Sequence, residues 1–158
     1  MATHGNALHL QRTDTDLLQS LADRAELTDL VHRLTAALDE HRFDDLRALL
    51  IEDSTAQTPG GLAQGREAVI AQATRNHQVY DRLQHLLSGV LVDLDGDRAE
   101  IRANLVGVFG NAPADQPARA IGAVYRFETV RTRDGWRIAS VDVRLVWRQG
   151  EAPIPVPA

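Results

Sequence analysis

The chain has 158 residues, 44% of them hydrophobic, which is enough length and apolar content for one domain with a single core. Its net charge of -5 and its dispersed basic residues exclude a nucleic-acid-binding surface, because neutralising phosphates requires clustered Lys and Arg. The absence of cysteine excludes disulfides, thiol nucleophiles and cysteine-type zinc sites.

The two ends of the chain lack the apolar periodicity of a folded element. Residues 1–12 predict a flexible N-terminal tail, and residues 150–158 predict a Pro-rich C-terminal tail that cannot pair in a sheet. A single domain is therefore expected over residues 13–149. The sequence has neither a membrane-spanning apolar run nor a signal-peptide pattern, so we expect a cytoplasmic protein without a membrane partner.

The first half of the chain predicts mainly helix. Apolar residues spaced by three and four predict three helices, over residues 14–41, 43–50 and 66–79. Thr13 or Asp14 can cap the first of them. Residues 54–57 predict a short edge strand, and the turn residues of the segment 58–61 predict a loop.

The second half of the chain predicts strands. Residues 82–109 form one hairpin that turns at Asp95-Gly96, and residues 120–148 form another that turns at Asp134-Gly135. Alternation of apolar and polar residues along the strands predicts a sheet that is covered on one face. Helices followed by strands predict an α+β fold, with the helices packed on one face of a mostly antiparallel sheet.

Two polar side chains stand beside apolar patterns. His85 interrupts the apolar start of the first hairpin. It is either a hydrogen-bonded core residue or a functional group in a cavity wall. Asp39 lies at the edge of the apolar stripe of the first helix, as either a surface carboxylate or a site residue. Neither His residues at i, i+4 spacing on one helix nor an H-E-x-x-H motif occurs, so no metal site is predicted.

Three segments together resemble the nuclear transport factor 2-like superfamily, and within it the SnoaL-like group that includes scytalone dehydratase and bile acid dehydratases. The segments are LDEHRFDDLRALL (38–50), RLQHLLSG (82–89) and GWRIASVDVRLVW (135–147). They occur in the order and spacing of the family. The resemblance implies a cone-shaped α+β barrel, in which three N-terminal helices and a curved mixed, mostly antiparallel sheet enclose a deep apolar pocket.

The same resemblance implies the residues of the site. The acid–base roles of scytalone dehydratase fall on Asp39 and His85, with no cofactor and no metal. A second cavity histidine is not expected, because Gly110 stands about where relatives carry one. The expected substrate-binding residues are Leu34, Leu38, Phe109, Tyr125 and Trp147.

Two function classes remain open. One is a cofactor-free lyase, isomerase or cyclase that acts on a hydrophobic small molecule such as a polyketide or terpenoid, using Asp39 and His85 as an acid–base dyad. The other is a non-catalytic ligand-binding or oligomerisation module with the same pocket. A separate prediction concerns partners: valines that share strand faces with arginines, such as Val106 and Val124, predict a homodimer or homotrimer through the outer face of the sheet.

Overall fold

The computed structural model describes residues 13–112 and 117–151, which form two α-helices, one 3₁₀ helix and one six-stranded sheet. The helices are α1 (Asp14–Asp39), the 3₁₀ helix (Phe43–Ala48) and α2 (Arg66–His77). The strands are β1 (Leu50–Thr58), β2 (Gly61–Gln64), β3 (Arg82–Asp95), β4 (Arg98–Gly110), β5 (Arg119–Thr132) and β6 (Gly135–Gln149). The predicted N-terminal tail and residues 152–158 of the C-terminal tail lie outside the described residues.

The sheet is mixed and open, with the strand order β2-β1-β6-β5-β4-β3. Only the β1–β6 pair is parallel, and the other neighbouring strands are antiparallel. Helices cover one face, which we call the inner face, and the opposite face is the outer face. The α+β class and the mostly antiparallel sheet are therefore confirmed, whereas the second predicted helix is a 3₁₀ segment.

Helix α1 begins at a capping box. The Thr13 hydroxyl accepts a hydrogen bond from the Asp16 backbone N–H at 3.1 Å, and the Asp16 carboxylate accepts one from the Thr13 N–H at 3.2 Å. The apolar stripe of the helix packs into the core, through Leu27, Leu30, Val31, Leu34 and Leu38. The helix ends at Asp39, two residues earlier than predicted, because His41 adopts a left-handed φ of 54°.

Strand β1 differs most from the expectation. Leu50 was predicted to be the last residue of a helix, but it begins a nine-residue strand that lies inside the sheet between β2 and β6. The backbone N–H of Ile138 donates to the Leu49 carbonyl at 2.8 Å and starts this pairing. The predicted edge strand is therefore an interior strand, and β2 forms the edge.

Of the register shifts in the sheet, two determine which side chains face inward near the ends of β3 and β6. In β3 the register shifts between Ser88 and Leu91, where Gly89 has a φ of 58°. In β6 the pairs Gly122–Trp147 and Ala123–Leu145 leave Val146 as an extra residue. Because side chains alternate between faces, each bulge exchanges the inner and outer positions that follow it.

Candidate active site

Asp39 and His85 are joined by two hydrogen bonds. The His85 backbone N–H donates to Asp39 Oδ2 at 2.9 Å, and the ring atom Nδ1 lies 2.5 Å from Asp39 Oδ1. The His85 side chain is only 1% exposed and the Asp39 side chain 22%. One carboxylate thus fixes both the strand position and the ring orientation of the histidine.

This contact depends on where His85 lies in the sheet. Among the described strands, β3 pairs only with β4, so its other edge carries backbone groups that none of these strands satisfies. The C-terminal end of α1 lies over that edge and supplies the Asp39 carboxylate. His41 holds the helix end there, since its Nε2–H donates to the Tyr80 carbonyl, 2.9 Å away, just before β3 begins.

The hydrogen bonds determine the protonation of the pair. Burial opposes ionisation of Asp39, but the hydrogen bonds from the His85 ring and backbone outweigh it and hold the pKa of Asp39 below its usual value. An ionised carboxylate only accepts hydrogen bonds, so Nδ1 of His85 carries the proton. The other ring nitrogen, Nε2, is then the one with a free lone pair.

Aromatic rings surround His85. Phe109 meets the His85 ring edge-on, with the ring centroids 5.5 Å apart. Gly107, which pairs with His85 across β3 and β4, makes room for that ring, because a Cβ at this position would lie 2.8 Å from Phe109 Cζ. The absence of a side chain at residue 107 therefore lets Phe109 fold back beside the histidine.

His77, the last residue of α2, is a second histidine at this site and was not expected. Its ring centroid lies 5.3 Å from that of His85, and its Nδ1–H donates to the Ala73 carbonyl at 2.7 Å. Burial is the main cause that lowers the pKa of His77 to about 4, and the positive charge that His85 carries when it is protonated adds to this effect. His77 is therefore neutral at pH 7. The sequence signal that points to it is its position at the end of a helix followed closely by the strand of His85.

A cavity of about 420 Å³ opens beside this cluster, a size typical of small-molecule sites. Its walls come from the β1–β2 turn, the end of α2 and the inner faces of β3 to β6. Tyr125 lines it with a hydroxyl that makes no hydrogen bond to any described residue. Burial, and then the negative charge of Asp39, raise the pKa of Tyr125, so its hydroxyl stays protonated and can donate to a ligand.

The expected substrate-binding residues separate into three groups. Phe109 and Tyr125 line the cavity together with His85. Leu34 and Leu38 instead pack in the core, at 6% and 4% exposure, so neither takes the place in the cavity that was expected of it. Trp147 was expected to bind substrate in the cavity. The bulge at Val146 instead turns its side chain to the outer face, where it is 46% exposed.

Two wider properties concern only residues 13–112 and 117–151. In these ranges, groups of three or more His, Asp or Glu side chains arranged to hold a metal ion do not occur. Neither α1 nor α2 combines the length and the apolar character that a bilayer crossing needs.

An open α+β cone with a cavity between its helices and its sheet defines a protein of the nuclear transport factor 2-like class. The model of the SnoaL-like domain family matches residues 19–142, and the chain belongs to that family.

Three known proteins illustrate what this chain is similar to. An uncharacterized protein of Mycobacterium tuberculosis strain H37Rv is 33% identical over 124 residues, which are 75% of this chain and 82% of that protein. An NTF2-like protein with a cystatin-like fold from Novosphingobium aromaticivorans is 26% identical, with a TM-score of 0.74, over 86% of this chain and 92% of that one. The LinA-type3 hexachlorocyclohexane dehydrochlorinase of Novosphingobium barchaimii is similar in fold, with a TM-score of 0.74 and 20% identity over 89% of this chain and 99% of that one.

Proposed function

We propose that the protein is a cofactor-free lyase or isomerase that uses His85 as a general acid–base group on a small molecule bound in the cavity. The observation that carries this proposal is the two-point contact between Asp39 and His85 at the cavity wall. Asp39 holds the His85 ring in a single tautomer, and the described residues leave its second nitrogen unpaired. This is the arrangement that a general base requires.

In the proposed reaction, Nε2 of His85 removes a proton from a substrate carbon. The electron pair of that C–H bond becomes a carbon–carbon double bond, and a leaving group on the neighbouring carbon departs with its own bonding pair. Asp39 stabilises the imidazolium that forms, and the imidazolium then returns its proton to the leaving oxygen. For isomerisation the substrate loses no group: the electron pair of the C–H bond moves into a conjugated carbonyl, and the imidazolium returns the proton to a different carbon.

Neighbouring residues support the proton transfer. The rings of Phe109 and Tyr125 restrict water around His85, which strengthens the interaction of its charged form with Asp39. His77 stays neutral at pH 7 and adds an unprotonated nitrogen beside the reacting group. The Tyr125 hydroxyl provides a donor for an oxygen of the substrate.

The similar fold of a dehydrochlorinase supports this reaction class by analogy, since dehydrochlorination is an elimination. Polyketides and terpenoids are the substrate class expected from the sequence, and the cavity volume suits molecules of one or a few rings.

The competing proposal is a binding module in which Asp39 and His85 only fasten α1 to β3. The 1% exposure of the His85 side chain is the observation that favours it. Turnover of a neutral probe separates the two proposals, because only the enzyme is expected to remove a proton from the probe.

A suitable probe is nitrobenzisoxazole, an uncharged aromatic compound. Removal of its ring C–H proton breaks its N–O bond and releases a coloured cyanonitrophenolate, without any cofactor. We expect His85→Gln to lower the rate about 10²-fold or more. His32→Gln is the matched control, because His32 lies exposed on α1, away from the cavity. A parent rate equal to that of His85→Gln would leave the binding module as the function.

We also propose that a second copy of the chain binds the outer face of the sheet. Leu86, Val106, Gly122 and Trp147 lie opposite one another across four strands. Leu86, Val106 and Trp147 are 39% to 49% exposed, and the Trp147 indole covers Gly122, where a side chain would overlap it. The row is therefore a continuous apolar band on the surface.

Two charged rows farther along the outer face favour a self-complementary partner. Glu100 lies directly opposite Glu128, and in the next outward-facing row Arg102 lies opposite Arg126. Like charges in directly opposed positions destabilise a single copy. A two-fold axis between the rows would set the acidic row of each copy against the basic row of the other.

A further inference from the structure

Two arginines stand at the open side of the cavity. Arg119 is half-buried at the start of β5, and Arg148 is exposed near the end of β6. Ile121 pairs with Arg148, and Arg119 precedes Ile121 by two residues on the same face. The two arginines are therefore diagonal neighbours on the inner face, with Cβ atoms about 7–8 Å apart.

No carboxylate compensates these two charges among the residues that the structure describes. Arg131, Arg47 and Arg42 each form ion pairs, but Arg119 and Arg148 have no Asp or Glu within ion-pair distance in residues 13–112 and 117–151. The described cavity lining likewise contains no Asp or Glu. The described lining of the cavity therefore carries two positive charges in a chain whose net charge is -5.

The strand register connects the arginines to the histidine. His85 pairs with Gly107, Gly107 with Ile121, and Ile121 with Arg148, so all four lie in one row across β3 to β6. Three strand spacings put the Cα atoms of His85 and Arg148 about 14 Å apart. Ile121 and the Phe109 ring form an apolar floor between the two ends.

We infer that the cavity binds an apolar acid, whose anionic oxygens are held by Arg119 and Arg148 while its ring system extends along Ile121 toward His85. A guanidinium binds a carboxylate or a phosphate through paired, charge-assisted hydrogen bonds. This inference rests on the proposed function, because it names the substrate class of the same site. The anion fixes one end of the molecule and thereby selects the carbon that faces His85.

The test uses three naphthalene compounds of one size, measured by isothermal titration calorimetry. Naphthoate and naphthyl phosphate carry the two kinds of anion, and naphthamide is the uncharged match for naphthoate. We expect at least one of the anions to bind the parent protein about tenfold or more tightly than the amide. The tighter of the two anions identifies the acid as a carboxylate or a phosphate ester.

Variants assign the effect to the two arginines. Arg119→Gln and Arg148→Gln should each reduce the preference for the anion about tenfold while leaving the affinity for naphthamide within about twofold of the parent value. Arg33→Gln, which removes an exposed charge on α1, should change neither affinity. Arg148 is exposed and tolerates substitution, so the test stands even where Arg119→Gln lowers the melting temperature.

The inference would be overturned if the parent protein bound the anions and naphthamide with nearly equal affinity. It would also be overturned if Arg148→Gln kept the parent preference for the anion. The proposed function fails separately, because nitrobenzisoxazole carries no charge and its elimination reports on His85. Calorimetric binding, in turn, requires no turnover.

Discussion

The carboxylate of Asp39 binds His85 at two points, through the backbone N–H of an edge strand and through ring atom Nδ1. A helix end is thereby joined to a residue 46 positions later in the chain. The contact satisfies a buried backbone group, and it also leaves one imidazole nitrogen available for chemistry.

Asp39→Asn tests both consequences. An amide presents only one acceptor oxygen, so one of the two hydrogen bonds is lost and the imidazolium loses its counter-charge. We expect elimination of nitrobenzisoxazole to slow about 10²-fold to 10⁴-fold and the free energy of unfolding to fall about 2 kcal/mol. Asp29→Asn, on the exposed face of α1, is the control for both measurements. A stability loss with an unchanged rate would assign Asp39 a purely structural role.

His77 should make stability depend on pH. Its pKa is about 4 in the folded protein and 6.5 in the unfolded chain, so the unfolded chain binds the proton first as the pH falls. Its contribution is fully present above pH 6.5, declines between pH 6.5 and 4 by about 3 kcal/mol, and stays constant below pH 4. Urea unfolding at several pH values measures this slope.

His77→Gln should flatten the slope between pH 6.5 and 4, whereas His32→Gln should leave it as in the parent. The comparison is matched because each ring donates one intrahelical hydrogen bond, from Nδ1–H to the carbonyl four residues earlier. An equal slope in the parent and in His77→Gln would show that the residue is not buried in its neutral form.

A buried cluster around Asp23 should make the free energy of unfolding depend on pH in stronger acid. Asp23, 3% exposed on α1, accepts two hydrogen bonds from the Arg131 guanidinium at 2.8 and 2.7 Å and one from Trp136 Nε1 at 3.1 Å. The hydrogen bond from Arg131 is the main cause that lowers the pKa of Asp23 to about 2, against the opposing effect of burial. The corresponding stability is present above pH 3.8 and is lost, by about 2 kcal/mol, as the pH falls toward 2.

Asp23→Asn should therefore lower the free energy of unfolding at pH 7 by about 2 kcal/mol. Asp97→Asn is a close control, because Asp97 binds the same Arg131 but its side chain is 82% exposed. Its loss should cost less than about 1 kcal/mol. Similar losses in the two variants would contradict the assignment of the stabilising effect to burial.

The outer face should hold copies of the chain together. We expect light scattering to give a mass of about 35 or 52 kDa, two or three times the 17.4 kDa of the chain. Val106→Arg in the apolar band should return the mass to 17.4 kDa, whereas Leu18→Arg on α1, where the leucine is 67% exposed, should not. Added salt should weaken the assembly, because opposed charge rows are screened. A parent protein of 17.4 kDa at micromolar concentration would refute the proposal.

Local sequence signals are sufficient for those parts of this protein that depend on neighbouring residues. The start of α1 at Thr13, the α+β order and the two long hairpins follow from capping, spacing and turn chemistry, all of which act over a few residues. The sequence also indicates Asp39 and His85, through their places beside apolar patterns, and the resemblance to the SnoaL-like group implies their acid–base roles. Even so, the first hairpin turns one residue later than predicted, at Gly96-Asp97, because a glycine with positive φ suits the first loop position. The second turns one residue earlier than predicted, at Arg133-Asp134.

The residues that meet at the cavity are brought together by packing between elements that are distant in the sequence. Strand β1 forms because β6 offers it a parallel edge, and a local pattern cannot reveal a partner more than 80 residues away. The bulge at Val146 sends Trp147 outward and Arg148 inward, because one inserted residue reverses the alternation from which facing is predicted. His77 reaches His85 only because α2 packs beside β3, and the joining of helix end to strand edge at Asp39 likewise depends on packing rather than on sequence spacing.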